Sequence, residues 1–171
     1  MHPEDEAQVI ALYHAILDAW DCRSAKDFAA CFSDRGSIVG FDGSQVDGLR
    51  EIAGHLAPIF ADHPTPAYVS KIREVRALAT GAAMLRAVVG MVPAGHTDIN
   101  AALNSIQTLI ATKQAGSWQA EMLQTTPAAF HGRPEAVEEL TAELRGGTAG
   151  VVMTRRHGSR PPLRPQPRAP S

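Results

Sequence analysis

Three side chains in this sequence could handle protons or negative charge from within apolar surroundings. Asp42 follows the run Ile38-Val39-Gly40-Phe41, His14 borders the apolar stripe of the first helical segment, and Arg86 interrupts an otherwise apolar strand signal (Met84, Leu85, Ala87, Val88, Val89). Acid–base chemistry needs titratable groups facing an apolar cavity, where burial moves their pKa toward neutrality. In that role Asp42 or His14 is the base or acid, and Arg86 binds a carboxylate, enolate or thioester oxygen. Each residue also has a plainer reading. Asp42-Gly43 is a reverse-turn signal in which the carboxylate bonds its own backbone. His14 could be a boundary histidine bonded to a carbonyl or water. Arg86 could point outward, to solvent or a dimer surface.

A second set of residues could hold a ligand rather than react with it. Gln107 and Gln124 fall on neighbouring strand signals, with Ser105 on the face of Gln107 and Thr126 on that of Gln124. An amide on a central sheet needs partners. The two could form a wall for a ligand carbonyl or hydroxyl, or they could bond each other or a second subunit. Trp20, Phe32, Phe41 and Met84 could supply apolar wall, while Trp118, just after a hairpin turn, reads as a core anchor.

Other chemistries find little support. The two cysteines, Cys22 and Cys31, imply no disulfide scaffold, and Cys31 lies in an apolar helical patch as a small core residue. His55, His63, His96 and His131 fit no metal-ligand spacing. No Ser-His-Asp motif, Gly-rich dinucleotide loop or redox cysteine pair is present. No cofactor and no metal are expected.

The elements that must position these residues are legible from periodicity. A helix is predicted over Pro3 to Trp20, with Pro3 at its first position, Glu4, Asp5 and Glu6 at the positive end of its dipole, and Val9, Leu12, Tyr13, Ile16, Leu17 and Trp20 as one apolar stripe. A short helix over Ala25 to Phe32, capped by Ser24, is followed by a turn at Asp34-Arg35-Gly36 and a strand over Ser37 to Phe41, against which Gln45-Val46 could pair back. Asp47 is expected to cap a third helix reaching about Phe60, which Pro58 could end early. Strand signals then follow at Ala67–Leu78, Ala82–Val92, Ala102–Gln114 and Trp118–Thr126. Ala79-Thr80-Gly81 and Ala115-Gly116-Ser117 are hairpin turns, and Pro93 to Asp98 has the composition of a pocket lip. A last helix is expected from Glu135 to about Arg145, stopped by Gly146-Gly147.

The chain has 171 residues, 44% apolar and 20% charged, which suits one soluble domain. Its acidic start and the lack of any long apolar run argue against a leader or membrane span, and a cytoplasmic location is expected. The net charge of -2 hides an asymmetry. Residues 146–171 carry five arginines and no acid, leaving a body of 11 basic and 18 acidic residues. An acidic body does not suggest a nucleic-acid surface. The Pro- and Arg-rich tail lacks apolar periodicity and is expected to be disordered.

Four local words in this order resemble the SnoaL-like, nuclear-transport-factor-two-like superfamily, and within it the SgcJ/EcaC-type proteins of enediyne and polyketide gene clusters. They are Phe41-Asp42-Gly43, Gly48-Leu49-Arg50-Glu51-Ile52-Ala53-Gly54-His55-Leu56, Ser105-Ile106-Gln107-Thr108-Leu109, and Gly116-Ser117-Trp118 leading to Leu123-Gln124-Thr125-Thr126. The resemblance covers about Glu4 to Arg145. It implies a cone-shaped fold, usually dimeric through the outer face of the sheet, with relatives that include ketosteroid isomerases, polyketide cyclases, dehydratases and non-catalytic binding domains. Fold alone does not settle function.

The sequence thus predicts an α+β protein, a strongly bent, mixed and mostly antiparallel sheet wrapped around N-terminal helices in a cystatin-like roll. Residues 1–145 form the domain and 146–171 the tail. By the resemblance, the cavity takes a small apolar, polyketide-like molecule of secondary metabolism. Two functions are expected from it. One is cofactor-free isomerisation, cyclisation or dehydration, with Asp42 or His14 moving the proton and Arg86, Gln107 and Gln124 steadying oxyanion charge. The other is a non-catalytic module that sequesters an intermediate. A homodimer is expected, an acyl carrier or synthase could be a partner, and no nucleic acid or membrane is.

Overall fold

A computed structural model describes residues 1–151. The chain starts with helix α1 (Pro3–Asp21), whose first turn carries Glu4, Asp5 and Glu6 and whose cap is His2. One stripe of α1, Val9, Tyr13, Ile16 and Leu17, is buried. A short helix α2 (Ala25–Ala30) follows, with the Ser24 hydroxyl accepting from the Asp27 amide at 3.2 Å. Then come strand β1 (Phe32–Val39), strand β2 (Gln45–Asp47) and helix α3 (Leu49–Asp62).

The rest of the sheet is β3 (Ala67–Ala79), β4 (Ala82–Val92), β5 (Ser105–Gln114) and β6 (Ser117–Pro127), closed by helix α4 (Pro134–Val151). The spatial order is β2-β1-β6-β5-β4-β3. All neighbours are antiparallel except β1 and β6, which run parallel. This is the α+β, mixed and mostly antiparallel sheet expected from the pattern. Helices α1, α2 and α3 pack on its inner face through Ile16, Phe28, Ile52, Leu56, Leu85, Leu109 and Leu123. Helix α4 lies on the outer face, where Leu140 and Leu144 meet Val69, Val88 and Ile99.

Several boundaries differ from the sequence reading, each for a local reason. Asp34-Arg35-Gly36 does not turn the chain. It lies inside β1, which begins at Phe32 and bulges between Phe32 and Ser37. A Cβ on Gly36 would stand 2.7 Å from the Ala120 carbonyl oxygen, so only glycine fits that close approach. Asp47 does not cap α3, because it is the last residue of β2. The cap is Gly48, whose φ of 99° favours glycine and whose amide bonds the Gly36 carbonyl at 2.8 Å.

Pro58 does not end α3. It sits on the exposed face above Gly54, so the carbonyl it leaves unbonded opens to water. Ala102 belongs to a 3-10 turn (Ala101–Leu103) rather than to β5. Gly146-Gly147 does not stop α4, which runs on to Val151. The expected disordered tail falls largely on residues 152–171, outside the described residues. Among the described residues no helix is long and apolar enough to cross a membrane.

Candidate functional site

A cavity of about 320 Å³ lies between the helices and the inner face of the sheet. Its apolar wall is built from every inner layer. Helices α1, α2 and α3 give Ile16, Leu17, Trp20, Phe28 and Leu56. Strand β1 and the turn after it give Ile38, Val39, Gly40 and Phe41. Met91 and Leu123 come from β4 and β6, Leu103 from the 3-10 turn before β5, and Pro66, with the polar Thr65 beside it, from the segment before β3. This size and character match small-molecule sites, which are largely apolar with a few convergent polar groups.

Those polar groups are Gln107, Thr125 and Tyr68, with Thr65 on the segment before β3. Gln107 is 1% exposed and projects inward from β5. Its Oε1 accepts a 2.7 Å hydrogen bond from the Tyr13 hydroxyl on α1, and its Nε2 donates to Thr125 Oγ1 on the adjacent strand at 3.3 Å. Tyr13 sits one turn before the cavity-lining Ile16 and Leu17, so the helix stripe carries its hydroxyl to the buried Gln107 amide. Burial pushes the Tyr13 and Tyr68 phenols far above their usual range, so both remain neutral hydrogen-bond donors.

The mouth is held by two side-chain-to-backbone bonds. Trp20 Nε1 donates to the Pro66 carbonyl at 2.9 Å, and Asp21 Oδ1 accepts from the Tyr68 amide at 2.9 Å. The Trp20 ring meets Phe60 edge-on at 5.2 Å and leans on Tyr68 at 5.4 Å. These contacts fix the end of α1 to the start of β3, where the aromatic edges form the rim.

The residues singled out from sequence divide sharply. Trp20, Phe41 and Gln107 line the cavity. Phe32 is fully buried behind the wall, stacked on Phe28 at 5.4 Å. Ser105 faces inward, but its hydroxyl turns to the Leu103 carbonyl at 3.5 Å.

Asp42 does not reach the cavity. It closes the turn after β1, accepting from the Ser44 amide at 3.0 Å and the Ser44 hydroxyl at 2.8 Å. Those bonds hold its carboxyl below the usual carboxylate range, the opposite of what a base near neutrality needs. His14 is exposed on α1, outside the buried stripe, with its ring 6.1 Å from that of Tyr13.

Arg86, Met84 and Gln124 occupy the outer face. Arg86 bonds Glu74 through Nε at 3.2 Å and Nη2 at 2.5 Å, and it borders a separate surface groove under α4. Met84, on the same side of β4, sits opposite Ile110, and Gln124 sits opposite Thr108. The supposed amide wall of Gln107 and Gln124 is therefore split by the sheet itself. Thr125, Tyr13 and Tyr68 were not among the expected site residues. A tyrosine inside an apolar helix stripe, needing a partner for its hydroxyl, was the one signal that could have found Tyr13.

Among the described residues no cluster of histidine, cysteine, aspartate and glutamate could hold a metal ion. The cavity wall carries no carboxylate, imidazole, ammonium or guanidinium group from the described residues.

No family model matches the chain, and no curated protein matches it by sequence. Solved structures do. A domain of unknown function with a cystatin-like fold from Nostoc punctiforme is 25% identical, with a TM-score of 0.72, over 90% of this chain and 98% of that one. A ketosteroid isomerase-like protein from Erwinia carotovora atroseptica is 20% identical, with a TM-score of 0.59, over 74% of this chain and 98% of that one. A protein of unknown function related to nuclear transport factor two, from Shewanella oneidensis, is 16% identical, with a TM-score of 0.59, over 72% and 98%. The chain thus has a cystatin-like fold, and the structures it resembles include proteins described as ketosteroid isomerase-like and as related to nuclear transport factor two.

Proposed function

We propose that this protein binds and sequesters a small, largely apolar molecule in the cavity between α1, α3 and the inner sheet face. The observation that carries the proposal is the wall itself. It is apolar over most of its area and its few polar groups are neutral, with no ionised side chain among the described residues. A wall of this kind binds by area and shape, and it holds no group with the pKa of a general base. That favours sequestration over acid–base catalysis, since Asp42 and His14 stand outside the cavity.

The resemblance of four sequence words to SgcJ/EcaC-type proteins supports secondary metabolism as the setting, with a polyketide-like intermediate as the ligand. We place an acyl carrier or synthase partner upstream. We also propose a homodimer through the outer sheet face, supported by the row Met84, Ile110 and Met122, which lies in register across β4, β5 and β6.

The test uses N-phenyl-1-naphthylamine, a neutral fluorescent probe. The wild-type protein is expected to bind it at micromolar concentration, and Leu103→Trp, which fills the cavity from its half-buried lip, to bind it at least about tenfold more weakly. Equal binding by both proteins would move the ligand site elsewhere.

A further inference from the structure

A groove of about 550 Å³ runs under α4 on the outer face of the sheet, away from the ligand cavity. Val88, Ile106 and Phe130 give it an apolar floor, and Leu140 and Glu139 of α4 form a wall. Ile106 is 38% exposed there. The other large apolar side chains left exposed among the described residues, Met1 and Leu78, lie at the chain start and beside a hairpin turn. Phe130 adopts a φ of 43°, a left-handed backbone that a bulky residue takes only under constraint. The Arg133 guanidinium covers its ring at 5.3 Å, which holds the ring at the groove.

The charges on the rim are unequally committed. Arg73 and Arg86 line the sheet side, but Arg73 is taken by Glu143 at 2.6 Å and Arg86 by Glu74. Lys71 and Arg76 share those two carboxylates and do not line the groove. Glu139 stands exposed on the α4 wall and has no ion pair among the described residues. Among the groove-lining residues, the charge without a partner is therefore a carboxylate. The groove asks for an apolar segment flanked by a cation.

The chain carries such a segment. Residues 152–171, outside the described residues, continue from the end of α4 with five arginines, five prolines and no acid, whereas residues 1–151 hold 11 basic and 18 acidic residues. A segment tethered to the helix that walls the groove has a high effective concentration there. Prolines fix φ in an extended range, so little order is lost on docking, and proline-rich segments favour grooves floored by aromatic and apolar side chains. Glu143 lies about 12 Å before Val151 along the helix axis, a distance that a turn and about four extended residues retrace. Arg160-Pro161-Pro162-Leu163-Arg164 then comes level with the groove. We propose that this stretch lies under α4 as a strap, with Pro161, Pro162 and Leu163 on Val88, Ile106 and Phe130, and with Arg160 and Arg164 on either side of Glu139. The row Met84, Ile110 and Met122 lies beyond Arg86 and Thr108, so the strap leaves it uncovered.

The experiment replaces Leu163 with the photocrosslinker p-benzoylphenylalanine in the full chain and maps the products by mass spectrometry after irradiation. An equal mixture of nitrogen-15-labelled and unlabelled chains separates crosslinks within one chain from those between chains. The expected products join position 163 to the segments holding Ile106, Phe130 and Leu140 of the same chain. Glu139→Arg is expected to lower their yield at least about threefold, and Arg160→Glu with Arg164→Glu, added to Glu139→Arg, to return it to within about twofold of the parent. All three positions lie outside the core, so the fold is expected to survive these changes. Crosslinks confined to a second chain, products scattered over the surface, the absence of products, or a yield that Glu139→Arg leaves unchanged overturns the strap. None of these results bears on the ligand cavity.

Discussion

The Tyr13 hydroxyl reaches Gln107 Oε1 at 2.7 Å across a separation of 94 residues. The bond joins the first helix to the central strand β5 inside the core, where both partners are essentially shielded from water. Removing it with Tyr13→Phe leaves a buried amide oxygen without its donor. The expected loss is about 1–3 kcal/mol of unfolding free energy, read by urea denaturation with an unchanged m-value.

Gly90 offers a contrasting cost, because it borders the α4 side of the sheet and not the cavity. A Cβ there would stand 2.9 Å from Ile99 Cγ2, 3.2 Å from Leu144 Cδ1 and 3.3 Å from Asn104 Oδ1. Gly90→Ala is expected to destabilise the fold by about 1–3 kcal/mol through overpacking, while probe affinity of the folded fraction stays unchanged. A loss of affinity at constant stability would mean that the cavity extends through β4.

Asp42→Asn and His14→Ala are expected to leave probe affinity within about twofold of wild type, since neither side chain lines the cavity. If a turnover is found for this protein and either substitution abolishes it, the sequestering reading fails and the catalytic one returns.

Helix α4 is anchored by carboxylate pairs to β3 and to the loop after β4. Glu143 bonds Lys71 at 2.9 Å and Arg73 at 2.6 Å, and Asp98 takes both arms of Arg145 at 2.9 Å. Both carboxyls are held below their usual range, Glu143 first by Lys71 and Asp98 first by Arg145. A depressed carboxyl pKa stabilises the fold above its unfolded value, and that contribution is lost as the pH falls through the folded value. The protection factors of the α4 amides, which correct for the intrinsic pH dependence of exchange, are therefore expected to fall below about pH 4, ahead of those of the core strands, and to stay constant between about pH 6 and 8. An α4 whose protection does not change on acidification would show that Leu140 and Leu144 alone hold it.

The hairpins, the helix stripes and the α+β order were legible because each rests on local chemistry. Gly81 and Gly116 both adopt positive φ in their turns, and the apolar spacing of α1 needs only one surface to lie on. What sequence could not settle was which face of a strand points inward. Alternation defines two faces but does not name them. In β6 it also breaks, because the extra residue Glu121 shifts the register against β5. Counting in twos from the buried Trp118 places Gln124 inside, yet the bulge puts Leu123 and Thr125 there instead. Arg86 posed the same problem in β4, and its partner Glu74 is on a strand whose own register shifts beside it. The parallel pairing of β1 with β6 joins segments far apart in sequence and leaves no local mark.

The placement of the two indoles makes the molecule its own reporter. Trp20 stands on the cavity rim against the Pro66 carbonyl, whereas Trp118 is tethered by Asp5 near the opposite end of α1. In a Trp118→Phe background all remaining tryptophan emission comes from the rim. Filling or emptying the hollow can then be followed as a change in colour and intensity, without labelling and before any natural occupant is known.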